Sequence, residues 1–338
     1  MNAVVDEAGL VERATDGDRG AFDALVEPYR RELHVHCYRM LASLHDAEDM
    51  VQESLLRAWR GLRTYQGRGS VRAWLYKIAT NTCLNHLRRR PRVVVPSDAE
   101  DQGTRPASMD ISWLEPYPDA QLHVGDPADA AVARAETSLA FLCAVQMLPP
   151  LQRAVLILRD VLEFSAKEAA AALDTTPTAV HSALRRARAR LTPDVLAAPP
   201  LGHLEPRPEE ETLVRRFVRA WEAADIPGLV ELLAADATLA MPPAPVWFRG
   251  REAIGEFLST VPAGGRLDRI PLVRVRANGA PAVAAYMGEG DAGPAAAYGV
   301  MVLTIAQGRV AAITGFAEPD LFRLFELPAT VELKRRRA

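Results

Sequence analysis

Between Ala21 and Arg90 the apolar positions repeat at helical spacing, and the segment reads as helices only. Val51, Leu55, Trp59 and Leu62 fall at i, i+4, i+8 and i+11 and mark one face of a helix. Asp46 is the expected cap of that helix, with acids in its first turn where the helix dipole favours them. A glycine-punctuated loop, Tyr65-Gln-Gly-Arg-Gly-Ser70, precedes a further helix with Val71, Trp74, Leu75, Ile78 and Thr82 inward, which ends before Pro91. Residues 135–192 return to helical periodicity. From Glu209 the pattern changes again. An amphipathic helix carrying Leu213, Phe217, Ala220 and Trp221 and a short helix at Ile226–Leu233 come first. Strand-like segments follow at Ala237–Met241, Ile270–Arg276, Ala282–Met287, Ala297–Ala306 and Val310–Phe316, the last two joined by a Gln307-Gly308 hairpin turn. Helices first and an antiparallel sheet afterwards predict two all-α units followed by an α+β domain.

Two proline-rich stretches separate these regions. Residues 91–134 hold six prolines and read as a linker, although Ile111-Ser-Trp-Leu-Glu-Pro-Tyr117 is too apolar for plain disorder and is expected to dock. Residues 194–208 form a second linker. The predicted boundaries are therefore 1–90, 91–134, 135–193, 194–208 and 209–338.

Charge sharpens this division. The net charge of −3 over 338 residues hides strong segregation. Ser54 to Ser97 has ten Lys/Arg and no acid, whereas residues 98–136 have nine acids and two bases. Local fields decide nucleic-acid binding, so the near-neutral sum does not argue against it. Cys37, Cys83 and Cys143 are odd in number and form no CxxC, which suits a reducing cytoplasm and neither a disulfide framework nor a metal site. His34 and His36 lie two apart, face different ways on a helix and read as helix-surface residues. No apolar run approaches membrane-spanning length, and the acidic N-terminus does not resemble a secretion signal.

Two elements carry candidate nucleic-acid chemistry. Ser165-Ala-Lys-Glu168 is a capping box opening a short Ala-rich helix. Asp174-Thr-Thr-Pro177 then turns the chain, with Thr176 as N-cap and Pro177 at the first helical position. The second helix is predicted to bury Val180, Leu184, Ala187 and Leu191. Its opposite face presents Thr178, His181, Ser182, Arg185 and Arg186, with short polar groups first and arginines later, as major-groove entry requires. The other element follows the Tyr65–Ser70 loop. Lys77, Asn81, Asn85 and Arg88 form one polar stripe, with asparagines suited to base edges and cations suited to phosphate. Tyr65, beside Arg68, could stack an unpaired base. The acidic face of the preceding helix, Glu48, Asp49, Gln52 and Glu53, repels DNA and is read as a protein contact.

Asp46-Ala-Glu-Asp-Met-Val-Gln-Glu-Ser-Leu-Leu-Arg-Ala-Trp59 with Val71-Arg-Ala-Trp-Leu-Tyr-Lys-Ile-Ala-Thr-Asn81 resembles region 2 of bacterial extracytoplasmic-function sigma factors. Leu148-Pro-Pro-Leu-Gln-Arg-Ala-Val155 through Arg190 resembles their region 4. The resemblance implies that Glu48, Asp49, Gln52 and Glu53 meet core RNA polymerase. It also implies that the Tyr65–Ser70 loop and the Lys77–Arg88 stripe engage the melted −10 promoter element, and that the second helix of region 4 reads the −35 element. Asp174 stands where the family usually has Gly, and Asp tolerates the left-handed backbone that such a turn needs.

The C-terminal region resembles the SnoaL-like cone fold through Phe217-Val-Arg-Ala-Trp-Glu-Ala-Ala-Asp225, Met241-Pro-Pro and Trp247-Phe-Arg-Gly-Arg-Glu-Ala-Ile254. Its expected pocket is apolar: Met241, Trp247, Phe248, Tyr286, Tyr298 and Phe316. After His203 the chain has no His or Cys and a single Ser, Ser259, which excludes a nucleophile–histidine arrangement. Asp225, Asp236 and Glu289 are the remaining acid–base candidates. The expectation is a cytoplasmic, non-enzymatic sigma factor without cofactor. Its cone domain would modulate activity by binding a small ligand or by intramolecular docking. The alternatives are a helix-turn-helix regulator with a ligand-sensing domain that is not a polymerase subunit, and a cyclase-type enzyme with a DNA-binding appendage.

Overall fold

The computed structural model describes residues 6–65, 69–90, 111–122, 137–191, 208–244, 246–288, 290 and 293–333. Arg68, Glu289 and most of both linkers lie outside the described residues. The chain divides into two compact units, Met1–Val93 with Ala144–Leu196, and Val94–Cys143 with Ala197–Ala338.

The first unit is helical throughout its described residues. α1 (Glu7–Thr15), α2 (Arg19–Leu41), α3 (Leu44–Gly61) and α4 (Val71–Arg89) form its first half. The cap of α3 is Ser43, whose hydroxyl accepts from the Asp46 amide at 3.2 Å. Asp46 is a first-turn acid, three residues inside the start. It lies in the first turn, where the helix dipole favours an acid, but the boundary is one residue after Ala42, which has a left-handed φ of 57°. His36 is fully buried, in contrast to the expected surface position, and its Nε2 lies 2.8 Å from Thr80 Oγ1. Burial, with Arg39 and then Arg72 nearby, lowers its pKa to about 3. Cys37, Cys83 and Cys143 are free and buried.

α5 (Leu139–Gln146), α6 (Pro150–Leu156), a π-turn at Ile157–Val161, α7 (Ala166–Ala172) and α8 (Pro177–Arg188) follow. Within this unit Arg153, 4% exposed, fastens α6 to α2. Its guanidinium donates to the carbonyls of Met40, Val145, Gln146 and Leu148 and to Gln146 Oε1.

The second unit is the α+β domain. α9 (Pro208–Glu222), α10 (Ile226–Leu232) and α11 (Arg251–Thr260) pack with a sheet. Its strands are β1 (Leu233–Ala240), β2 (Trp247–Arg249), β3 (Leu272–Ala277), β4 (Ala280–Gly288), β5 (Gly293–Ala306), β6 (Arg309–Phe316) and β7 (Thr330–Leu333). The order is β2-β1-β6-β5-β4-β3, with β7 paired to β5. The sheet is mixed: β1 pairs β6 in parallel, which corrects the purely antiparallel expectation. The long excursion between β1 and β6 in sequence allows that crossover. Gln307 and Gly308 both have positive φ (50° and 71°), as a primed hairpin turn requires.

The apolar linker piece does dock, within this second unit. Ile111, Leu114, Tyr117 and Leu122 are buried. Asn278, at the tip of the β3–β4 hairpin, donates from its amide to Tyr117 O and from Nδ2 to Thr137 O, while its Oδ1 accepts from Tyr117 N. Asp119 accepts from the Gly279 amide at 2.8 Å and from Arg276 Nε at 3.2 Å.

Candidate nucleic-acid interface

The helix-turn-helix forms as its local chemistry dictates. Ser165 and Glu168 make the reciprocal capping box, with Ser165 N donating to Glu168 Oε2 at 2.8 Å and Glu168 N to Ser165 Oγ at 3.2 Å. The hydrogen bond from Ser165 holds the Glu168 carboxyl below its usual pKa. Asp174 takes the left-handed turn at φ 49°, and Thr176 caps α8 by accepting from Ala179 N. Val180, Ala183, Leu184 and Ala187 are buried. Thr178, His181, Arg185 and Arg186 are exposed and Ser182 is half-buried, so all five predicted residues share one open face. Arg185 and Arg186 have no hydrogen-bond or ion-pair partner among the described residues. Arg188 is held instead by a two-point bond to Asp160, at 2.9 and 2.7 Å. That bond, with the carboxylate charge, raises the Arg188 pKa.

The α4 stripe is arranged differently. Ser70 caps α4 by accepting from Ala73 N at 3.1 Å. Tyr65 donates to Gly69 O at 2.6 Å, and its ring lies 5.2 Å from that of Trp74. Asn85 and Arg88 face outward and bond to each other at 3.1 Å. Lys77 and Asn81, however, are engaged by the helix-turn-helix itself. Lys77 Nζ meets Asp174 Oδ1 at 2.6 Å, and Asn81 Nδ2 donates to Ala172 O at 2.9 Å. Beside them the Tyr76 and Phe164 rings meet edge-on at 5.5 Å, and the Arg72 guanidinium lies over both rings. Half of the predicted −10 stripe is thus covered from within the same unit.

Glu48, Asp49 and Gln52 are exposed on α3 and Glu53 is half-buried. Gln52 bonds Glu48 at 3.0 Å and Glu53 pairs with Arg57 at 2.7 Å. Sequence periodicity missed Leu56, which is 47% exposed in their midst. It lines a groove of about 590 Å³ with acids on one wall and Asn85, His86 and Arg89 on the other. The signal was available, because Leu56 falls off the apolar stripe of α3.

In the second unit Met241, Tyr298 and Phe316 line one apolar cavity. Trp247, Phe248 and Tyr286 do not. Phe248 packs on Phe257, with centroids 4.6 Å apart. Tyr286 projects from the other face of β4, against Phe322, and donates to Pro328 O at 3.1 Å. Both faces of β4 are covered, so hydrophobicity alone could not say which residues face the cavity. Among the described residues no helix is long and apolar enough to cross a membrane.

The profile of Sigma-70 region 2 matches residues 25–93, that of Sigma-70 region 4 matches residues 138–191, and that of the SnoaL-like domain matches residues 214–313. The chain is 42% identical to the ECF RNA polymerase sigma factor SigG of Mycobacterium tuberculosis, over 97% of this chain and 90% of that protein. It is 31% identical to the RNA polymerase sigma-H factor of Pseudomonas aeruginosa over 53% of this chain and 88% of that one. The crystal structure of the extracytoplasmic-function sigma factor SigJ of M. tuberculosis superposes with a TM-score of 0.57 at 25% identity, covering 89% of this chain and 97% of that one. A helical body with regions 2 and 4 in order, a capped helix-turn-helix and a SnoaL-like domain behind it place the chain in the family of extracytoplasmic-function RNA polymerase sigma factors.

Proposed function

We propose that this cytoplasmic sigma factor initiates transcription through two surfaces of unequal availability. The α8 face, Thr178, His181, Ser182, Arg185 and Arg186, reads the −35 element as duplex. Lys77, Asn81, Asn85 and Arg88, together with Tyr65 and Arg68, engage the melted −10 element. Glu48, Asp49, Gln52 and Glu53, with Leu56 as an apolar anchor, bind core RNA polymerase. The observation that carries this reading is the pairing of Lys77 and Asn81 with Asp174 and Ala172 O. This pairing makes a closed form, and polymerase binding must separate α7 from α4 before the −10 element can be read.

The cone domain acts as a regulator and not as an enzyme. Its support is the hydrogen bonding of two linker residues to the β3–β4 hairpin: Tyr117 exchanges buried bonds with Asn278, and Asp119 accepts from Gly279 N and Arg276 Nε. Holding the linker restricts how far the two regions can separate. In vitro transcription with core polymerase tests this. Asn278→Ala and Asp119→Asn should change promoter-specific output relative to wild type at equal polymerase occupancy. Unchanged output from both variants contradicts a regulatory linker contact.

A further inference from the structure

The second unit encloses space that its own side chains leave unfilled. The cavity measures about 390 Å³, is partly open to solvent and has no charged residue in its lining. Packed interiors leave few voids larger than a water molecule, and small-molecule sites span ~300–1,000 Å³. Met241, Met287 and Met301 contribute flexible, polarizable walls that adapt to a ligand's shape. The Trp221 indole N–H is already satisfied by Ile270 O at 3.1 Å and offers the interior no donor.

The mouth is different. Val261 is 61% exposed and Tyr298 39% exposed, and both line the opening. Tyr298 is the extra residue of a bulge: the β4–β5 register passes from Ala285↔Gly299 to Tyr286↔Ala297. Bulges re-aim side chains beside binding sites. The Tyr298 hydroxyl makes no hydrogen bond to any described residue.

We propose that this cavity binds an uncharged, hydrocarbon-rich small molecule whose single hydrogen-bonding end meets the Tyr298 hydroxyl at the mouth. A charged ligand would lose its hydration without gaining a counter-ion. Ala285 and Met287, in the wall, lie on the strand whose other end reaches the hairpin that holds Tyr117 and Asp119. An occupant therefore touches the element that clamps the linker. That consequence rests on the cone domain being regulatory, whereas occupancy does not.

The full-length chain is titrated with the neutral fluorophore N-phenyl-1-naphthylamine, then challenged with 1-dodecanol or dodecanoate at about pH 8, where the acid is ionised. The expected result is saturable binding at one site, with the alcohol displacing the probe at roughly tenfold lower concentration than the carboxylate. A Cβ at Gly315 would make ordinary contacts, 3.5 Å from Met241 Cγ and 3.8 Å from Met301 Cγ, both cavity-lining side chains, so the added bulk of Gly315→Leu takes up cavity space. It should weaken probe binding by roughly tenfold or more. If that variant fails to fold, Val261→Asp at the exposed mouth provides the same readout, with a loss of about fivefold. Absent probe binding, equal affinity in wild type and variant, or equal displacement by dodecanoate overturns the proposal. Probe binding with transcription unaffected leaves the site standing and removes the regulatory reading. Cone-dependent transcription without probe binding does the reverse.

Discussion

α8 and α4 carry the same kind of chemistry, yet one is open and the other is half covered. On α8 the inward residues Val180, Ala183, Leu184 and Ala187 do all the packing, and the arginine face is left to solvent. On α4 the polar stripe also serves as a packing surface. An ammonium that suits phosphate suits the Asp174 carboxylate, and an amide that suits a base edge suits the Ala172 carbonyl. Groups chosen to recognise nucleic acid can therefore be satisfied by the protein's own chain. The magnitudes keep this cover reversible. The Lys77–Asp174 pair is 41% and 71% exposed, and such pairs contribute about 0–1 kcal/mol. The Asn81 bond adds about 1 kcal/mol. The stronger attachment between the two halves is the buried Arg153.

Removing that attachment should have the largest effect on the contrast. Arg153→Ala leaves several buried carbonyls without a donor, and a loss of more than about 3 kcal/mol is expected in denaturant unfolding of the first unit. The same variant should expose α4, read as faster proteolysis or hydrogen exchange around Lys77.

Acid should loosen the core behind α4 next. His36 is neutral in the fold with a pKa of about 3, against about 6.5 when unfolded. The unfolded chain binds the extra proton, so this contribution is complete above pH ~6.5 and is lost as pH falls toward 3. The slope should approach about 1.4 kcal/mol per pH unit below pH ~6. Thermal melts of wild type and His36→Gln across that range should show the variant with the shallower dependence.

Arg185→Ala tests the open side. If Arg185 contacts a guanine, −35 discrimination should fall by about 1–3 kcal/mol in a competition assay. Unchanged sequence preference would remove it from the reading face. The smallest thermodynamic effect belongs to Asp174→Gly, which removes the carboxylate without straining the left-handed turn and should alter stability by less than about 0.5 kcal/mol while raising the rate of open-complex formation.

The difference between the two helices also marks where the sequence was legible. Local signals were reliable: the Ser165–Glu168 box, the Thr176 cap, the left-handed Asp174 and the Gln307-Gly308 turn depend only on near neighbours. The docking of Ile111–Tyr117 could be inferred from its apolarity, though not its receptor. What failed was non-local. Periodicity shows that Lys77 and Asn81 share a face with Asn85 and Arg88, but not that α7 lies over half of it. The parallel β1–β6 pairing, the short β2 and β7, and the turning of Tyr286 away from the cavity are set by partners distant in sequence. Asp46 lost the cap to Ser43 because both have capping chemistry and only the left-handed Ala42 fixes which one sits at the boundary.

In the proposed mechanism, α7 must leave α4 before the −10 element is read. Lys77→Cys with Asp174→Cys, bridged by a short bis-maleimide, tests it directly, since Cys37, Cys83 and Cys143 are buried. Bridged protein should retain −35 duplex binding and fail to open promoters with core polymerase, and the unbridged double variant should open them. Normal promoter opening by the bridged protein would contradict the claim.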